Sequence, residues 1–71
     1  MRELNYKKRA MFFELMDFII TKEEWSPVTR FKFFARTQYL EEIYNIVINN
    51  MDITENEFLT MLDEFPSDVE E

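Results

Sequence analysis

The segment Ser26 to Met51, SPVTRFKFFARTQYLEEIYNIVINNM, decides how this 71-residue chain folds. Proline at the second position of the segment suits the first turn of a helix, where its missing N–H leaves no bond unmade. Ser26 before it is driven into the extended conformation that a capping residue adopts, and its hydroxyl can accept from a helix-start amide. The spacing predicts one helix over 27–50. At 100° per residue Phe33, Leu40, Ile43, Tyr44, Val47 and Met51 fall on one stripe. Val28, Phe31, Phe34 and Ala35 fall on roughly the opposite side of the first half, so this helix carries two apolar faces that need cover. Asn49 and Asn50 are its expected terminators, because asparagine tolerates the left-handed region.

Two further helices flank it. Residues 4–20 read as a helix in which Leu4, Met11, Phe12, Phe13, Leu15, Met16, Phe18, Ile19 and Ile20 spread over more than half the circumference. A helix so apolar is expected to be covered on more than one side. Residues 54–65 begin with a capping box, Thr54 with Glu57, and a hydrophobic staple of Ile53 on Phe58. Phe58, Met61, Leu62 and Phe65 then recur at i, i+3, i+4 and i+7, and Pro66 stops the helix. Thr21 with Glu24 offers a second capping box inside the connection TKEEWS, too close to Pro27 for more than a turn. Trp25 in that connection is expected to close one end of the core. The short connections predict antiparallel neighbours. The fold class read from the chain is therefore all-α, an antiparallel three-helix bundle with helices near 4–20, 27–50 and 54–65, one domain over 1–65, and a short disordered acidic tail over 66–71.

Composition removes much chemistry. Histidine, cysteine and glycine are all absent. No disulfide, thiolate nucleophile, imidazole base, structural zinc site or glycine-rich phosphate loop can be assembled from these residues. The only serines, Ser26 and Ser67, each adjoin a proline, and the paired carboxylates Glu41/Glu42, Asp63/Glu64 and Glu14/Asp17 fall on polar helix faces. No catalytic residue and no cofactor is assigned, and the expectation is that the protein is not an enzyme. Asp52, Thr54, Asn56, the Phe58 carbonyl, Thr60 and Asp63 resemble an EF-hand loop in spacing. Glu57 stands where that loop needs glycine, and Asp63 where it needs a bidentate glutamate. A capped amphipathic helix accounts for the same residues, so no metal site is assigned.

Charge is unevenly placed. Residues 1–36 hold all eight basic side chains and five acidic ones; residues 37–71 hold ten acidic and no basic side chains. The net charge is −7, and the second half by itself is expected to repel nucleic acid and anionic membranes and to attract basic protein surfaces. Antiparallel packing is expected to set Lys7 to Arg9 near Asp52 and Glu55, and Arg30 to Arg36 near Glu14, Asp17 and the tail. No run is long and apolar enough for a membrane span, and the start reads as no signal peptide, so the expected compartment is the cytoplasm.

The function expected from these features is protein binding, by an inhibitor or adaptor that touches a protein partner, or by a self-associating homodimer. Two surfaces are candidates: the apolar one of Val28, Phe31 and Phe34, and an acidic one of Glu55, Asp63 and Glu64 on the outer side of the last helix. The acidic surface suits a DNA mimic, with carboxylates standing in for phosphates. In character the chain resembles the short, acidic, glycine-poor helical proteins that phages direct against host machinery, which implies action in a host cytoplasm. The alternative is a small homodimeric nucleic-acid-binding or regulatory subunit that uses Arg30, Lys32 and Arg36.

Overall fold

In a computed structural model, residues 5–22 and 25–67 are described. They form four helices: α1 (Tyr6–Thr21), α2 (Pro27–Ala35), α3 (Leu40–Asn49) and α4 (Glu55–Asp63), with a 3-10 turn, Thr37–Tyr39, between α2 and α3. The chain is all-helical over these residues, as expected, but the helix expected over 27–50 is two. An unbroken helix of that length would run about 36 Å at 1.5 Å per residue, longer than the 32 Å long axis of the molecule. Breaking it at Arg36 (φ −119°, ψ 26°) lets both halves lie on one core. Arg36 is held at the break by its own side chain: Nε donates to the Phe65 carbonyl at 3.0 Å, and the guanidinium lies 4.0 Å from Asp63.

The caps follow local chemistry. Asn5 opens α1 by accepting from the Lys8 amide at 2.8 Å; Leu4, where the helix was expected to start, lies outside the described residues. Thr54 and Glu57 make both halves of the capping box, 3.2 and 3.0 Å, and α4 ends at Asp63 rather than at residue 65. Ser26 is extended as predicted, yet its hydroxyl caps nothing. Asn50 closes α3 at φ −135°, not in the left-handed region, and its side-chain amide donates to the Ile46 carbonyl instead. Thr21 is the last residue of α1 and turns its hydroxyl back on the Asp17 and Phe18 carbonyls, so it opens no new helix; Glu24 lies outside the described residues. Pro66 and Ser67 are exposed, and the rest of the expected tail, 68–71, is not among the described residues.

Met11, Leu15 and Ile19 of α1, Phe33 of α2, Leu40, Ile43 and Val47 of α3, and Phe58, Met61 and Leu62 of α4, with Ile53, make one core. Phe12 stacks on Phe33 at 5.4 Å between ring centres, and Phe33 faces Phe58 at 6.5 Å. Trp25 lies across the end of this column against Phe18 and Phe58, as expected of it.

The helices pair out of sequence order, α1 mainly with α3 and α2 mainly with α4. Contacts rise together along each pair. Lys7 meets Glu41, Glu14 meets Tyr44, and Lys22 meets the Met51 carbonyl. Ser26 and Thr29 meet Glu55, Lys32 meets Asp63, and Arg36 meets Phe65. The members of each of these pairs therefore run in the same direction; the all-helical class expected from the sequence stands, and four helices, with the break at Arg36, take the place of three. The charge pairing expected from antiparallel packing changes with them: Lys7 sits by Glu41, not Asp52 or Glu55, and Lys32 and Arg36 sit by Asp63, not Glu14 or Asp17.

Candidate functional site

Six large apolar side chains on α1 and α2 face outward: Tyr6, Phe13 and Ile20 at i, i+7 and i+14, and Val28, Phe31 and Phe34 at i, i+3 and i+6. Each is more than half exposed, from 54% at Val28 and Phe34 to 89% at Tyr6. The two rows adjoin through Phe12, whose ring contacts Phe13 edge-on at 5.9 Å and Phe34 at 5.6 Å. Arg9 stands one turn before Phe13 and Arg30 one turn before Phe34. Both are exposed, and neither has an ion pair among the described residues. The result is an aromatic face with a basic rim on an acidic chain.

The sequence placed Val28, Phe31 and Phe34 as an interface or as core, and the structure sets all three at the surface while Ala35, expected with them, is buried. It misses the α1 row, because a helix so rich in apolar residues reads as covered on several sides. The seven-residue recurrence of Tyr6, Phe13 and Ile20, with Arg9, Ala10 and Asp17 between them, was the available signal.

The acidic candidates are placed differently. Glu55 faces α2, where Oε2 accepts from the Ser26 amide at 2.6 Å and from the Thr29 hydroxyl at 2.7 Å. Those donors hold its carboxyl below the usual glutamate range, Thr29 contributing most. Thr29 is fully buried, the one polar side chain so placed among the described residues, and the bond satisfies its hydroxyl. Asp63 accepts from the Lys32 ammonium at 2.9 Å. Of the three, only Glu64 stands exposed with no side-chain partner among the described residues. The basic trio splits in the same way: Lys32 and Arg36 face Asp63, and Arg30 is exposed.

The surface of the described residues also carries concavities. A groove of about 270 Å³ lies between α1 and α3, lined by Leu15, Phe18, Val47, Ile48 and Met51, with Glu14 and Tyr44 at its edge. There the Tyr44 hydroxyl donates to Glu14 at 2.6 Å, a bond that together with partial burial and the carboxylate's charge raises the phenol's pKa. A polar depression follows the turn from Asn49 to Thr54. Residues of the EF-hand-like spacing from Thr54 onward are helix or helix cap, so they form no loop. Among the described residues no group of three or more acidic side chains could hold a metal ion, and no helix is long and apolar enough to cross a membrane. Searches of protein-family models, of curated proteins and of solved structures find no match to this chain.

Proposed function

We propose that this chain works by protein–protein contact, as a small acidic binding module of the inhibitor or adaptor kind, and that its contact surface is the outer face of α1 and α2. The observation that carries the reading is the joined pair of apolar rows on that face. At roughly 100 Å² apiece the six side chains offer about 600 Å² of apolar surface, at the upper limit of what a monomer ordinarily leaves bare. Aromatic residues with arginine at the edge are the composition of protein-interface centres. The acidic-surface alternative loses ground because two of its three carboxylates, Glu55 and Asp63, already serve contacts inside the chain. The nucleic-acid alternative loses Lys32 and Arg36 to Asp63.

The test is affinity capture from the native cell with the parent chain and with Phe31→Glu and Phe34→Glu chains as baits. A partner held by the parent and lost by both variants, in 0.5 M salt as in dilute buffer, is the expected result. A partner indifferent to both substitutions but released by salt would return the reading to the carboxylates, since exposed ion pairs are screened over about 8 Å at physiological ionic strength.

A further inference from the structure

We propose that a second copy of this chain covers the α1 row, the two α1 helices crossing antiparallel about a two-fold axis beside Phe13. The inference rests on the reading of the α1–α2 face as a protein-contact surface and names its occupant.

Three observations on α1 point the same way. Tyr6, Phe13 and Ile20 repeat every seven residues, an interval that drifts only about 20° per repeat, so they stay on one line of the helix. The row is evenly spaced about its middle, so an antiparallel partner centred on Phe13 sets Phe13 against Phe13 and each Tyr6 level with an Ile20 of the other copy. The charges beside the seam are opposite and equally spaced: Arg9 lies four residues before Phe13 and Asp17 four residues after. Both are exposed, and neither has an ion pair within the chain among the described residues. Antiparallel pairing brings each Arg9 level with an Asp17 of the other copy, whereas parallel pairing would set Arg9 beside Arg9 and Asp17 beside Asp17. Ala10 between Tyr6 and Phe13 allows close approach. Phe34, joined to the row through Phe12, extends the contact onto α2. The four side chains it uses offer about 400 Å² at roughly 100 Å² apiece, half of the roughly 800 Å² per partner of a standard interface, and the polar rim with Arg9 and Asp17 adds to it.

The absence of cysteine makes the geometry testable in the full chain. Sedimentation of the purified protein between about 1 and 100 μM, the weak end of the affinities that standard interfaces give, is expected to show a dimer. Phe13→Glu should abolish the dimer while circular dichroism shows the same helix content, and Ile48→Glu, an exposed change on α3, should leave the dimer intact. Under mild oxidation Phe13→Cys chains should link to one another. Tyr6→Cys chains should link to Ile20→Cys chains in a mixture and each far less to its own kind, because a disulfide needs Cα atoms within about 7 Å. Preferential Tyr6→Cys self-linking would overturn the antiparallel geometry. A dimer that survives Phe13→Glu would overturn the assignment to this face, and a monomer throughout the concentration range would overturn self-association itself. In that last case the protein-contact reading stands or falls separately, on whether Phe13→Glu loses a partner that the parent chain captures.

Discussion

Glu55 shows how one carboxylate can fix a bundle. It is the first residue of α4, where a negative charge suits the helix dipole, and it reaches across to occupy the first free amide ahead of α2 and the buried Thr29 hydroxyl. Removing the hydroxyl by Thr29→Val is expected to lower the unfolding free energy by about 1–3 kcal/mol, as loss of a hydrogen bond to a charged group does. Urea denaturation at neutral pH measures it. The same contact makes a pH prediction. Because the carboxyl's pKa is lower folded than unfolded, its contribution is complete above the ordinary glutamate value and disappears as the pH falls through the lowered folded value. The parent's urea midpoint should therefore decline with acid over that window, and Glu55→Gln should decline less over the same window. Thr54→Ala, which removes the other anchor of this helix start, should cost about 1 kcal/mol.

At the scale of elements, the turn at residues 36–39 governs the arrangement. It contains neither proline nor glycine, so nothing in the local sequence marks it. Its cause is tertiary: the Arg36 side chain is tied to Phe65 and Asp63, on the far side of α3 in sequence. Arg36→Ala is expected to cost about 1.5–3 kcal/mol through its charged hydrogen bond, and Arg30→Ala, on an exposed arginine without an ion pair, no more than about 0.5 kcal/mol. Thermal denaturation of the pair of variants distinguishes them. This is also where sequence reading reached its limit. Capping chemistry written into neighbouring residues was legible: Thr54 with Glu57 stands as read. So were the positions that fill the core, Phe33, Leu40, Ile43, Val47, Phe58 and Leu62, because 3.6-residue periodicity survives a short 3-10 turn almost in phase. The break itself, and with it the direction in which helices pair, depends on a contact across 29 residues that no window of periodicity contains. Of the candidate surface, the α2 half was legible because Val28, Phe31 and Phe34 stand opposite an obvious core stripe. The α1 half was hidden by an excess of apolar residues that made every side look internal.

For the molecule as a whole, charge and apolar surface are segregated. Of the eight exposed large apolar side chains among the described residues, six belong to α1 and α2, the half that also holds the basic residues. A dimer of two chains of charge −7 carries mutual repulsion at long range, while its contact is largely apolar. Added salt screens the first and leaves the second, so self-association is expected to strengthen between about 20 and 300 mM salt. Sedimentation equilibrium across that range reads it directly, and weakening would show that attraction between charges dominates the contact. Against DNA or RNA the overall sign is unfavourable and only part of the basic set stands clear of acidic partners. No gel shift is expected at micromolar protein in physiological salt.

The out-of-order pairing has a consequence for how the chain is made. As residues 1–36 emerge from a ribosome, their two helices share the ring contacts of Phe12 with Phe33 and Phe34 and little else, since α1 packs mainly on residues some 30 positions later and α2 on residues as distant. Contacts that close such long loops are reached late and slowly compared with those of a hairpin of neighbouring helices. A nascent chain stopped after Arg36 should be without stable structure and bind chaperones through Phe12, Phe13, Phe31 and Phe34, and folding should begin only once α4 has cleared the exit tunnel. Synthesis through α4 is thus expected to precede the first stable structure, and a chain terminated before Asp63 is expected to show no cooperative unfolding transition.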